Sequence, residues 1–124
     1  MRHVESFKDL EVYKMARQLA KRIFELTKTF PTEERYSLTG QIRRSSRSIG
    51  GQIAEACGKR RYINHFISKL TDADGEQLET QHWIEVSFDC EYIDANVRIE
   101  LNEKCHSIGK MLQKMIEKAN DFCK

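Results

Sequence analysis

Arginine is the residue whose spacing carries the most chemical meaning in this chain. Arg43, Arg44 and Arg47 fall within QIRRSSRSIGGQIAEACGK (41–59), and Lys59, Arg60 and Arg61 stand at the end of that segment. Four residues separate Arg43 from Arg47, so on a helix the two share a face, with Arg44 beside it. Guanidinium forks pair bidentately with phosphate oxygens, and neutralising phosphates releases counterions. Such a set therefore binds a nucleic-acid backbone without reading its sequence. Tyr62, next to the 59–61 cluster, is placed to stack on an exposed base. The competing reading is a helix face that is solvated or paired with carboxylates of the same chain. Lys14, Arg17 and Lys21, continued by Lys28, form an upstream basic strip that extends the same phosphate-tracking surface. Lys110, Lys114 and Lys118 make a third line at a spacing of four, a pattern that serves solubility.

The acidic and metal-ligating residues point to less. Glu55 and Glu79 lie near apolar stripes and need partners where buried. Arg43, Arg44 or Gln41 can supply them, so both read as structural ion pairs. No nucleophile, glycine-rich phosphate loop or substrate-shaped motif accompanies these carboxylates, and the chain reads as non-enzymatic. Glu79-Thr80-Gln81-His82 and Glu103-Lys104-Cys105-His106 share the Glu-x-x-His spacing of di-iron carboxylate bundles. The core positions expected nearby are 77, 81 and 84, and 101, 105 and 108. Both glutamates then fall roughly 200° round the helix from the core column, so neither a metal nor a cofactor is expected. His3 and His65 read as surface or cap residues. Cys57, Cys90, Cys105 and Cys123 form no CxxC spacing and read as packing residues or incidental thiols.

The elements that must position these groups are helices. One proline and six glycines in 124 residues, with abundant Ala, Leu, Glu, Lys and Arg, favour helix throughout and fit a single domain. Apolar stripes predict four helices, at about 7–30, 33–57, 60–90 and 95–122. They run through Val12, Ala16, Leu19, Ile23, Leu26 and Phe30; Leu38, Ile42, Ser45, Ile49, Ile53 and Ala56; Ile63 to Phe88 by way of Gln77 and Gln81; and Val97 to Phe122. Ser6 and Asp9 offer a capping box, Gly58 a left-handed helix end, and Gly75 a close backbone approach. Short connections make the architecture an all-α, antiparallel up-down-up-down bundle. Trp83, Tyr92, Phe7 and Tyr13 are expected to close the bundle ends. The second helix is rich in Ser and Gly, which favour helix poorly. Either tight packing inside the chain or contact with another subunit would offset that. Charge is split: residues 31–61 hold seven basic and three acidic residues, residues 72–103 one basic and ten acidic, behind a net +2. No apolar run reaches the roughly 20 residues that cross a bilayer, and no secretory signal is evident, so a cytoplasmic protein without membrane association is expected.

FKDLEVYKMA (7–16), Phe30-Pro31, YSLTGQIRRSSRSI (36–49), QIAEACGK (52–59) and GEQLETQ (75–81) closely resemble the four-helix-bundle proteins encoded in intervening sequences of bacterial large-subunit ribosomal RNA genes. The similarity runs from about residue 7 to 93. That family resembles the accessory variability determinants of diversity-generating retroelements. The resemblance implies a homopentameric ring with a basic surface that binds RNA or DNA and a reverse transcriptase. Two departures stand out. Gln52-Ile53-Ala54-Glu55-Ala56 replaces the usual NIAEG, and Gly75-Glu76 replaces the usual GS, adding a carboxylate at a small-residue site. Apolar residues off the main stripes, such as Met15, Phe24, Ile67 and Val86, would then serve subunit contact, with the basic edge of one copy meeting the acidic edge of the next. The resulting expectation is a non-enzymatic, self-associating nucleic-acid-binding or reverse-transcriptase-accessory scaffold working through the basic surface of the second helix. The alternatives are a protein-binding scaffold without nucleic acid and, further off, a di-metal carboxylate enzyme.

Overall fold

The computed structural model describes residues 6–123; His3 lies outside them. Four long helices, α1 (Glu11–Thr27), α2 (Leu38–Gly58), α3 (Ile63–Asp89) and α4 (Ala95–Glu117), are followed by a single turn, α5 (Ala119–Phe122). Cross-helix contacts fix the topology. Tyr13 lies over Gly50 and Arg43 reaches back to Thr27, so α1 and α2 are antiparallel. Lys69 meets Gln52 while Thr80 meets Ser45, and Gln77 lies against Gly109 while Glu85 meets Arg98. The α2–α3 and α3–α4 pairs are therefore antiparallel too. Arg22 closes the square onto Glu100 of α4. This is the up-down-up-down bundle that the stripes predict.

The core follows those stripes with local shifts. Leu19, Ile23, Ile42, Ile49, Ile53, Phe66, Leu70, Ile84, Leu101, Ile108 and Leu112 are all at most 2% exposed. Each such side chain contributes about 1.5–3 kcal/mol by leaving water. On α3 the buried column runs through Gln77, Thr80, Ile84 and Ser87, not through Gln81 and Phe88. The cause is polar. Thr80 Oγ1 donates to Ser45 Oγ across α2–α3 at 2.9 Å, and the serine at 45 leaves room for it. Gly109 of α4 makes space for buried Gln77, whose amide donates to Asp74 and accepts from Gln81. Part of the small-residue content of α2 therefore serves packing inside the chain: Ser45 meets Thr80, and Gly50 sits beneath Tyr13, where a Cβ would lie 3.4 Å from the ring.

Several helix ends differ from the sequence reading. Ser6 Oγ accepts from the Lys8 amide and caps a 3₁₀ turn, Phe7–Asp9; α1 itself starts only at Glu11, after an extended Leu10. Pro31 is followed by a second 3₁₀ turn, Thr32–Glu34. The Glu34 carboxylate accepts from Ser37 Oγ at 2.6 Å, just before α2 begins at Leu38. Gly58 is not left-handed; the one positive φ among the described residues is at Glu91, 63°. There the Tyr92 amide returns to the Ser87 carbonyl and closes α3. Gly75 faces open space and marks no close approach. α4 stops at Glu117, so the last turn folds separately as α5.

Aromatic pairs occupy both ends. Phe30 and Tyr92 sit 5.1 Å apart at one end, where Tyr92 Oη donates to Glu34 Oε2 and that carboxylate pushes the phenol up to about 12. Phe66–Phe122 and Phe7–Tyr13 lie at the other. Trp83 closes neither end: part-way along α3, its indole N–H donates to Glu79.

Thr39 Oγ1 is the one buried side-chain polar atom among the described residues that makes no hydrogen bond. A hydroxyl in that state is destabilising, and valine has its shape without its polarity. Thr39→Val is expected to raise stability by about 1 kcal/mol, read as a higher urea midpoint at constant m-value. A lower midpoint would mean that the hydroxyl is satisfied.

Candidate nucleic-acid interface

The arginines of α2 divide between two grooves. Arg43 and Arg47, one turn apart, lean toward α1, whereas Arg44, about 100° further round, leans toward α3. Arg43 Nε donates to Thr27 Oγ1 at 2.8 Å, and its guanidinium lies 4.8 Å from the centre of the Phe24 ring. Arg47 approaches the same ring at 5.6 Å and Lys28 at 4.9 Å. Three cations thus converge on one half-buried phenyl ring, held by its quadrupole. One turn or two along α1, Arg17 lies 6.0 Å from the Tyr13 ring, with Lys14 and Lys21 exposed beside it. Of these cations, Lys28 alone has an ion pair among the described residues, with Glu25 at 3.2 Å.

Arg44 has the opposite surroundings. It hydrogen-bonds Glu79 and Glu76 of α3, and the Glu79 carboxylate also accepts from Trp83. The Trp83 N–H, helped by Arg44, holds Glu79 below its ordinary pKa. Glu55 is exposed and meets Lys69 at 3.5 Å; neither Arg43 nor Arg44 is its partner. Lys59 and Arg61 are exposed in the α2–α3 turn, where Arg60 Nε donates to the Cys57 carbonyl and Tyr62 lies 5.6 Å from His65, ring to ring. That turn lies at the Phe7–Tyr13 end of the bundle.

Carboxylates elsewhere in the bundle are paired as well. Arg98 binds Glu85 and Arg22 binds Glu100 through bidentate forks, and each arginine holds its glutamate below the ordinary carboxylate pKa. Glu34 is lowered by the Ser37 hydroxyl and then by Tyr92. A carboxyl whose folded pKa is depressed binds its proton more readily in the unfolded chain. The contribution of these groups is therefore complete above the ordinary carboxylate range and is lost as pH falls through the lowered values. Urea midpoints are expected to fall steadily below about pH 4.5. Because the pairs are solvent-exposed, the loss should be modest and smaller still in high salt. A midpoint flat from pH 6 to 3 would contradict these pairings.

Phe24 and Tyr13 are what the sequence reading missed at this site, having assigned Phe24 to subunit contact. Their signal was present as aromatic–cation pairs at i,i+4, Tyr13–Arg17 and Phe24–Lys28. No group of three or more His, Cys, Asp or Glu side chains among the described residues could hold a metal. Glu103, His106 and His82 are each exposed, and no described helix is long and apolar enough to cross a membrane.

Fold and surface together define an all-α bundle with one cationic flank, α1–α2, and a carboxylate-rich α3, while α4 carries both signs. The chain belongs to the 23S rRNA-intervening sequence protein family, whose model matches residues 8–114. It is similar to a solved structure from Bacteroides thetaiotaomicron VPI-5482, a protein of unknown function from the S23 ribosomal protein family. The identity is 31% and the TM-score 0.76, over 86% of this chain and 95% of that one. No curated protein matches the chain.

Proposed function

We propose that this protein is a non-enzymatic scaffold that binds nucleic acid along the α1–α2 flank, through Lys14, Arg17, Lys21, Lys28, Arg43 and Arg47. The observation that carries this reading is the convergence of Lys28, Arg43 and Arg47 on Phe24 with one carboxylate, Glu25, to answer them. Cations kept close together without neutralisation repel each other, and phosphates relieve that repulsion by releasing their counterions. Arg44 is not part of this surface, since its charge is spent on Glu76 and Glu79.

The scaffold acts as a ring of identical copies. The support is the separation of the cationic α1–α2 flank from the acidic α3, together with Leu78 and Ile99, each 55% exposed on α3 and α4. Those two residues also favour a second reading, a protein partner, of which a reverse transcriptase is the kind that the resemblance to accessory variability determinants supplies. Binding of labelled RNA measured across a salt series tests the main reading, with light scattering on the same samples. Log K should fall linearly with log salt, by about 0.7 to 0.9 per phosphate neutralised. No retention of RNA even at low salt would leave the protein-partner reading in its place, and a monomer at every salt concentration would remove the ring.

A further inference from the structure

Beside the Arg43–Phe24 cluster, α1 and α2 enclose a groove of about 290 Å³. Its floor is Gly50, Gly51 and Ala54 of α2, its aromatic wall is Tyr13 with Phe7 at 4.9 Å, and Arg17 and Arg47 flank it. The two glycines are not equivalent. Gly50 lies against Tyr13, whose ring a Cβ there would touch at 3.4 Å. A Cβ at Gly51 would meet nothing within 4 Å, so no packing inside the molecule calls for glycine there. A glycine in a helix interior is nevertheless destabilising by about 1 kcal/mol relative to alanine. What it does at this position is keep the groove floor open between two guanidiniums that have no carboxylate partner among the described residues.

We infer that this groove takes one unpaired nucleobase of a single-stranded RNA, with the flanking phosphates on Arg17 and Arg47. Chemistry favours this occupant over others. A flat heteroaromatic ring fits a slot with an aromatic wall that stacks on a base and with two guanidiniums at its flanks that are left to pair the adjacent phosphates. A base in a duplex is held in its own stack and cannot enter, so the slot selects single strands, whereas the phosphate cluster at Phe24 is indifferent to strandedness. The inference rests on the nucleic-acid reading of the α1–α2 flank and adds to it the preference for unpaired strands.

The test is Gly51→Leu, which fills the slot from the floor. Open space at the Cβ and a better helix former mean that this variant should fold at least as well as the wild type, and its thermal midpoint verifies that. Binding is measured with a fluorescent single strand of about ten nucleotides and with its duplex, each across a salt series. Wild-type protein should prefer the single strand. Gly51→Leu should weaken single-strand binding about 5- to 150-fold, the equivalent of one lost base stack, with its salt slope and duplex affinity unchanged. Gly51→Ala, which leaves most of the slot, should fall between the two. Equal wild-type affinity for both strands, or single-strand binding untouched by leucine, would overturn the slot while leaving the phosphate surface standing. A changed mass in light scattering for Gly51→Leu would also overturn it, by assigning the groove to contact between copies. Absence of any wild-type binding would instead remove the reading on which the slot rests.

Discussion

Arg43→Glu together with Arg47→Glu should weaken RNA binding by more than about 100-fold, since two charge-assisted contacts at about 1.5 kcal/mol each are replaced by repulsion. The salt slope should become shallower by about 1.4 to 1.8, two phosphates' worth. Arg44→Gln, the neighbouring substitution of the same residue type, should leave both affinity and slope unchanged. Its guanidinium lies on the far side of α2 with Glu76 and Glu79, and losing such an exposed pair should lower stability by less than about 1 kcal/mol. The contrast between adjacent arginines is what makes the experiment informative. A diffuse attraction from net charge would weaken binding in proportion to the charge removed, four units at 43 and 47 and one at 44, and unfolding would weaken it at any site. A loss at 44 of about a quarter of the free-energy loss at 43 and 47, or more, would therefore reject the α1–α2 flank as the binding surface. Arg43 also donates to Thr27, so circular dichroism of the double variant must show that α1 and α2 remain docked.

That contrast also marks where the sequence stopped being legible. The periodicity of Val12, Ala16, Leu19 and Ile23, or of Ile42, Ile49 and Ile53, is imposed by the helix itself, so the buried side of each helix could be read from spacing alone. Spacing does not say which flank of α2 faces α1 and which faces α3, because that depends on the direction in which the chain winds round the bundle. Arg43, Arg44 and Arg47 consequently read as one basic set, when 100° between adjacent residues puts Arg44 in another groove. The shift from Gln81 to Thr80 has a similar origin. Both are polar and adjacent, and the choice between them is made by a hydroxyl on another helix, Ser45. The glycines illustrate the limit most clearly. Gly50, Gly51, Gly75 and Gly109 look alike in the sequence, yet Gly50 and Gly109 yield to a partner side chain and the other two face open space.

Phe66→Ala should destabilise the bundle by about 3–5 kcal/mol. Phe66 is fully buried at the start of α3, and its ring stacks on Phe122 of α5, centroids 5.8 Å apart at 28°. The pairing exists because α4 breaks before Ala119, which lets the last turn swing its phenyl ring under α3. Truncation at 66 leaves a cavity in a core of fully buried side chains, which closes only in part. Phe122→Ala removes a half-exposed ring that water can replace, so its loss should be smaller. Because the rings stack, the double variant should lose less than the sum of the singles by about 0.5–1.5 kcal/mol, the coupling typical of an aromatic pair. Urea unfolding of the four proteins measures all of this at once. Strict additivity would mean that α5 is not docked on α3. A Phe66→Ala loss below about 1 kcal/mol would mean that this end of the bundle is open.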